Sequence, residues 1–149
     1  MLIQIPHFFR SIILYQDCKF GYRTSRFKKT GETVVSATFA LNPGNKSEIA
    51  LKTEQTLSAR KEAQPAGKNC GSVFLNPEGD YAARLIEQAG LKGSCIGGAA
   101  VSEKHANFIT ASSSAQAEDV YMLIQYIKKK VKDKFGVLLT EEVEFIGEF

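Results

Sequence analysis

The stretch from Glu118 to Phe135 constrains this chain most, because Val120, Leu123, Ile124, Ile127, Val131 and Phe135 follow one another at steps of 3, 1, 3, 4 and 4. Those steps return to one side of a helix with 3.6 residues per turn, and Gly136 supplies a left-handed stop. A helix of this length with a single apolar stripe must lay that stripe on another element, so the rest of the chain has to provide a sheet or further helices.

Two more helices are predicted. Asp80 caps a run in which Tyr81, Ala82, Leu85, Ile86 and Ala89 recur at helical spacing before Gly90 ends it. Asn45, with Glu48 three residues later, opens a helix that runs towards Arg60 and ends before Pro65. Between these lie candidate strands. Val34 to Leu41 alternates, with Val35, Ala37, Phe39 and Leu41 on one side, until Asn42-Pro43-Gly44 breaks it. A short extended piece is expected around Val73-Phe74. Gly93 to Ala100 is glycine-rich and turns into Val101-Ser102, and Asn107 to Thr110 is short and apolar. Val137 to Leu139 and Val143 to Ile146 read as terminal strands. The mixture predicts an α+β fold, with the helices Asp80–Ala89 and Glu118–Phe135 on one side of a sheet that includes Val143 to Ile146.

Charge and cysteine usage exclude several functions. The 149 residues are 44% apolar and 23% charged with a net charge of +3, which demands no polyanionic partner. Lys128, Lys129, Lys130, Lys132 and Lys134 cluster late in the long helix, where cations are favoured, and no aromatic stripe accompanies them for stacking on bases, so no nucleic acid is expected. Cys18, Cys70 and Cys95 are odd in number and form no CxxC pair, and His7 and His105 stand far apart, so neither a disulfide framework nor a metal site is expected. Met1 to Tyr15 is apolar but interrupted by His7 and Arg10, which argues against a signal peptide. No stretch is long and apolar enough to span a membrane, and a cytoplasmic protein is expected.

Three short islands carry candidate chemistry. Gly21-Tyr22-Arg23-Thr24-Ser25 holds an arginine able to grip a carboxylate, although such an arginine is more often plain surface. Asn69-Cys70-Gly71-Ser72-Val73-Phe74-Leu75-Asn76-Pro77 places a glycine before a serine and an Asn-Pro turn after it, which can aim Ser72 into a cleft. It is not a GxSxG elbow, and Cys70 reads more readily as a buried structural cysteine than as a nucleophile. In Glu141 to Gly147, alternation sets Glu142, Glu144 and Ile146 opposite Val143 and Phe145. An inward glutamate there would need a partner or a task, and a charged edge strand fits the spacing equally well.

Together these islands resemble one family. GSVFLNPEGDYAARLIEQAGLKG followed by IGGAAVSEKHANFI, with YRTSRFK upstream and EEVEFIG at the end, is similar to the MurB family of UDP-N-acetylenolpyruvoylglucosamine reductases, from about Asp17 to Gly147. The VSEKHANF segment resembles the shorter, second type within it. The resemblance implies an FAD-dependent, NADPH-consuming reduction of the enolpyruvyl ether of UDP-N-acetylglucosamine to UDP-N-acetylmuramate, for peptidoglycan synthesis in the cytoplasm. It implies Ser72 as proton donor and Arg23 and Glu142 as its catalytic partners, with Asn76, His105 and Tyr22 at substrate-binding positions.

Two departures from the family pattern stand out. Glu144 replaces an arginine usual after the Glu-Val pair, and nothing before Asp17 resembles the glycine-rich diphosphate-binding stretch of the family's flavin domain. The expected organisation is therefore an unmatched segment 1–16, a C-terminal remnant of the FAD-binding domain over 17–64, and a MurB C-terminal substrate-binding domain over 65–149. The alternative to a reductase is a non-catalytic UDP-sugar-binding remnant, or the partner of a separately encoded flavin domain.

Overall fold

The computed structural model describes residues 11–148, so the readings placed on residues 1–10, His7 and Arg10 included, lie outside the described residues. The chain divides into two compact units, one ending at Pro43 and the other beginning at Gly44.

The larger unit is built on a four-stranded antiparallel sheet. Its strands are β1 (Asn69–Ser72), β2 (Cys95–Ile96), β3 (Ala99–Val101) and β4 (Phe108–Ala111), in the order β1-β4-β3-β2. The register pairs Ala99 with Ala111, Val101 with Ile109, and Ser72 with Phe108. Directly opposed residues share a face. Ala99, Val101 and Ile109 thus form the face that joins the main apolar cluster, while Ser72 and Phe108 belong to the other.

Helices cover the first face, as the periodicity predicted. The helix written here as α4 (Ala117–Phe135) buries Leu123, Ile124, Ile127 and Val131, and α3 (Ala82–Gln88) buries Ala82, Leu85 and Ile86. These side chains pack with Val73, Phe74 and Leu139 in one cluster, each large one contributing about 1.5–3 kcal/mol by leaving water. Gly90, at φ +75°, ends α3 in a Schellman motif: its N–H donates to Glu87 O at 2.9 Å and the Leu91 N–H to Ile86 O at 3.2 Å. Gly136, at φ +71°, ends α4. At the start of α4, Asp119 Oδ2 accepts the N–H of Gln116 and that of Gly98, both at 2.9 Å, and these bonds hold its carboxyl below the usual range. The paired glycines between β2 and β3 leave room for this start: a Cβ on Gly97 would run into the Asp119 carboxylate, and one on Gly98 would lie 2.5 Å from Ala115 Cα.

Four expectations are corrected. Val34 to Leu41 forms no strand, and Val35, Phe39 and Leu41 are exposed, because no ladder partner exists for it among the described residues. Val137 to Leu139 and Val143 to Ile146 form no strands either. The chain there is irregular, with Leu139 buried, Ile146 exposed and Phe145 set edge-on against Tyr121 at 5.2 Å. The cap of α3 also shifts. Asp80 pairs with Arg84 and takes the Tyr81 N–H at 2.6 Å, whereas the first helical amide, that of Ala82, donates to Asn76 Oδ1 at 3.1 Å.

The helix opened by Asn45, α2 (Lys46–Ala63), is present as predicted, and the Asn45 side chain accepts the N–H groups of Ser47 and Glu48 at 2.9 and 3.2 Å. It buries none of its residues. Among the described residues of the smaller unit, a 3-10 turn (Tyr15–Cys18) precedes a tight hairpin at Gly21–Thr24 and a short helix, α1 (Arg26–Thr30).

Candidate functional site

Ser72 stands at the end of a distorted strand. The β1–β4 register slips between Asn69 and Ser72, so that Cys70 and Gly71 together face Ile109. Asn69 Oδ1 accepts the Gly71 N–H at 3.0 Å, and Gly71 takes φ +80°, a conformation that a side chain would strain. The glycine before the serine turns the backbone so that Ser72 falls opposite Phe108. Ser72 is half-buried, and its hydroxyl has no hydrogen-bond partner among the described residues.

The next residues bring the C-terminal segment to this point. The Leu75 N–H donates to Thr140 O at 2.9 Å, the Glu142 N–H donates to Val73 O at 2.8 Å, and Phe74 and Glu141 form an antiparallel bridge. Ser72 and Glu142, 70 positions apart in the numbering, are therefore held in neighbouring backbone. Glu142 is half-buried. Beside it, Lys128 Nζ donates to Glu141 Oε1 at 2.7 Å, joining α4 to this segment.

Burial of the Glu141 carboxyl opposes its ionisation, but the hydrogen bond and positive charge of Lys128, together with hydrogen bonds from the backbone and Gln125, outweigh this and leave its pKa below the ordinary 4.5. A carboxylate depressed in the folded state contributes stability that is present above its unfolded value and lost as pH falls through the folded one. The urea midpoint should therefore fall as the pH is lowered from about 6 to about 3, and Glu141→Gln should flatten part of that fall. An unchanged pH profile in the variant would show that the pair contributes nothing.

His105 joins the same face of the sheet. Its ring meets Phe108 edge-on at 4.7 Å, and its Nδ1 accepts the Asn107 N–H at 3.2 Å, which places the proton of the neutral ring on Nε2. Asn76 lies just after the Ser72 loop, where its side-chain oxygen caps α3. Tyr22 and Arg23 belong to the smaller unit, at the two central positions of the Gly21–Thr24 hairpin, with the guanidinium 5.2 Å from the Tyr22 ring centroid. Arg23 adopts φ +53°, a strained conformation for a residue with a side chain, and such strain is commonest where the side chain has a task.

Cys70 is exposed rather than a buried structural cysteine, while desolvation around its thiol pushes the pKa up and disfavours the reactive thiolate. No group of three metal-ligating side chains converges among the described residues, and no helix among them is long and apolar enough to cross a membrane. Asn107 was not singled out from sequence, nor was the Lys128–Glu141 pair. Each depends on contacts between distant segments, and only an asparagine at the head of a short apolar run hinted at the first.

Comparisons with known proteins identify the family of the chain. The family model described as UDP-N-acetylenolpyruvoylglucosamine reductase, C-terminal domain, matches residues 63–146. A UDP-N-acetylenolpyruvoylglucosamine reductase from Synechocystis sp. is 47% identical over 142 residues, covering 93% of this chain, a wider span than Asp17 to Gly147, and 45% of the relative. One from Carboxydothermus hydrogenoformans is 50% identical over 133 residues, covering 89% of this chain and 44% of the relative. The crystal structure of the reductase (MurB) from Thermus caldophilus superimposes with a TM-score of 0.73 at 36% identity, covering 87% of this chain and 46% of that one. The chain thus spans about half the length of the relatives it matches, and it belongs to the MurB family of UDP-N-acetylenolpyruvoylglucosamine reductases, with that family's C-terminal α+β domain as its core.

Proposed function

We propose that this chain is the substrate-binding, proton-donating half of a cytoplasmic reductase that converts UDP-N-acetylenolpyruvoylglucosamine to UDP-N-acetylmuramate in peptidoglycan synthesis. The observation that carries this reading is the bulged β1 strand, which presents the Ser72 hydroxyl, unengaged among the described residues, beside the backbone of Glu142 in a chain of this family. Residues 65–149 are the substrate-binding domain and residues 17–64 the end of the FAD-binding domain, a division supported by the family match beginning at residue 63.

Hydride addition to the vinyl carbon of the enolpyruvyl ether leaves negative charge on the alpha carbon and its carboxylate. Ser72 Oγ–H gives its proton to that alpha carbon. The Arg23 guanidinium stabilises the charge as it develops, Glu142 is the third catalytic group, and Tyr22, Asn76 and His105 contact substrate.

Among the described residues, the longer helices present no open N-terminus to an FAD diphosphate. Open amides at a helix N-terminus readily hold a dinucleotide diphosphate, but two of those of α2 are taken by Asn45, the first of α3 by Asn76, α4 begins in a capping box with a carboxylate, and α1 has only five residues. The groove along α2, about 290 Å³ and lined by Ile49, Lys52, Thr53, Thr56, Leu57 and Arg60, is shallow and open. FAD and its reductant NADPH would be held by the half of the relatives that this chain does not span. A second reading follows from the same occupied amides: alone, or paired with a separate flavin domain, the chain binds the UDP-sugar without performing redox chemistry.

The test is to express the chain alone and joined behind the N-terminal half of the Synechocystis relative. The chain alone should purify colourless, and the joined protein should be yellow, its flavin should be reduced by NADPH, and reoxidation by the enolpyruvyl substrate should complete the cycle. A yellow, NADPH-reducible joined protein that leaves the substrate untouched overturns the reductase reading.

A further inference from the structure

We propose that Asn107 is a positioning residue that sets Ser72, Glu142 and His105 in one register, an inference that rests on the reductase reading above. Its side chain is buried, at 4% exposure, and grips the backbone of Phe74 at two points. Oδ1 accepts the Phe74 N–H at 2.9 Å and Nδ2 donates to Phe74 O at 2.8 Å, so a side-chain amide replaces the peptide group that a neighbouring strand would offer. The main-chain oxygen of Asn107 also accepts the Val73 N–H at 2.9 Å.

The segment after Ser72 is thereby clamped. Asn107 holds Val73 and Phe74, while Val73 O accepts the Glu142 N–H and the Leu75 N–H donates to Thr140. A shift of Phe74 along its axis would move Ser72, two residues earlier, and displace Glu142, which is bonded within the clamp. The main-chain N–H of Asn107 also donates to His105 Nδ1, so the backbone that the side-chain amide fixes against Phe74 carries a third candidate site residue.

No other side chain fits this place. Aspartate offers two acceptors and would set a carboxylate oxygen against Phe74 O, leucine would leave two buried backbone groups unpaired, and glutamine carries both groups one methylene too far.

Amide exchange on the full chain tests the clamp directly. In Asn107→Asp and Asn107→Gln, exchange at Val73, Phe74 and Glu142 should quicken by about tenfold or more, under conditions where the amides in the middle of α4 stay protected. In the joined protein described above, both variants should be reduced by NADPH at nearly the parent rate. Reoxidation by the enolpyruvyl substrate should slow by about tenfold or more, since a small misplacement of a reacting group is costly. A merely structural role would impair both half-reactions or neither. If Asn107→Asp does not fold, Asn107→Gln carries the test, because it keeps a donor and an acceptor. Unchanged exchange at Phe74 and Glu142, or parent-rate reoxidation in a folded variant, overturns the inference. Failure of the unaltered joined protein to use substrate overturns the reductase reading instead, and the clamp is then judged by exchange alone.

Discussion

Replacing Ser72 by alanine in the joined enzyme should lower turnover by roughly 10²- to 10⁴-fold, the usual contribution of a general acid, while NADPH reduces the flavin at close to the parent rate. Serine is a weak acid, but the charge it meets is a high-energy carbanion, so placement matters more than acidity. The Ser72 hydroxyl is suited to this because it is unengaged among the described residues and sits on a strand whose bulge, tied down by Asn69 and Gly71, holds its direction. Ser72→Cys should retain more activity than Ser72→Ala, since a thiol can still donate. Rapid-mixing traces that follow the flavin, with NADPH added first and substrate second, separate the two half-reactions. Parent-rate reoxidation in Ser72→Ala would move the proton to another source, with Glu142 or an ordered water the next candidates.

The second large effect concerns folding. Ile127→Ala should destabilise the chain by about 2–5 kcal/mol, because the deleted methyl groups lose their transfer free energy and the rigid surroundings do not fully close the cavity. Ile127 lies in the middle of α4, 1% exposed, with Leu123, Ile124 and Val131 on the same stripe and α3 and the sheet against it. Domains of this size have only about 5–15 kcal/mol in total, so the thermal midpoint should drop by roughly 10 °C or more. Leu138→Ala is the control, since that leucine is 63% exposed and its truncation should cost little. Thermal unfolding followed by circular dichroism decides the matter, and equal midpoints for the two variants would mean that α4 does not carry the core.

Local signals located what forms locally. The three predicted helices, their caps at Asn45 and Gly136, the stop at Gly90 and the glycine turn before Ser72 were legible, because a helix satisfies its hydrogen bonds within a few residues and, in α3 and α4, apolar spacing shows which face will be buried. The family resemblance was legible too, from unbroken runs of residues rather than from periodicity. Strands were another matter. Val34 to Leu41 and Val143 to Ile146 alternate as well as any strand does, yet neither has a ladder partner among the described residues, and alternation without a partner does not make a strand. Only tertiary structure brought Glu142 beside Val73, gave Asn76 rather than Asp80 the first amide of α3, and set the Asn107 amide on Phe74 from 33 positions away. Each of these is a hydrogen bond to a main-chain group that is the same in every residue, so residue type alone does not reveal the partner.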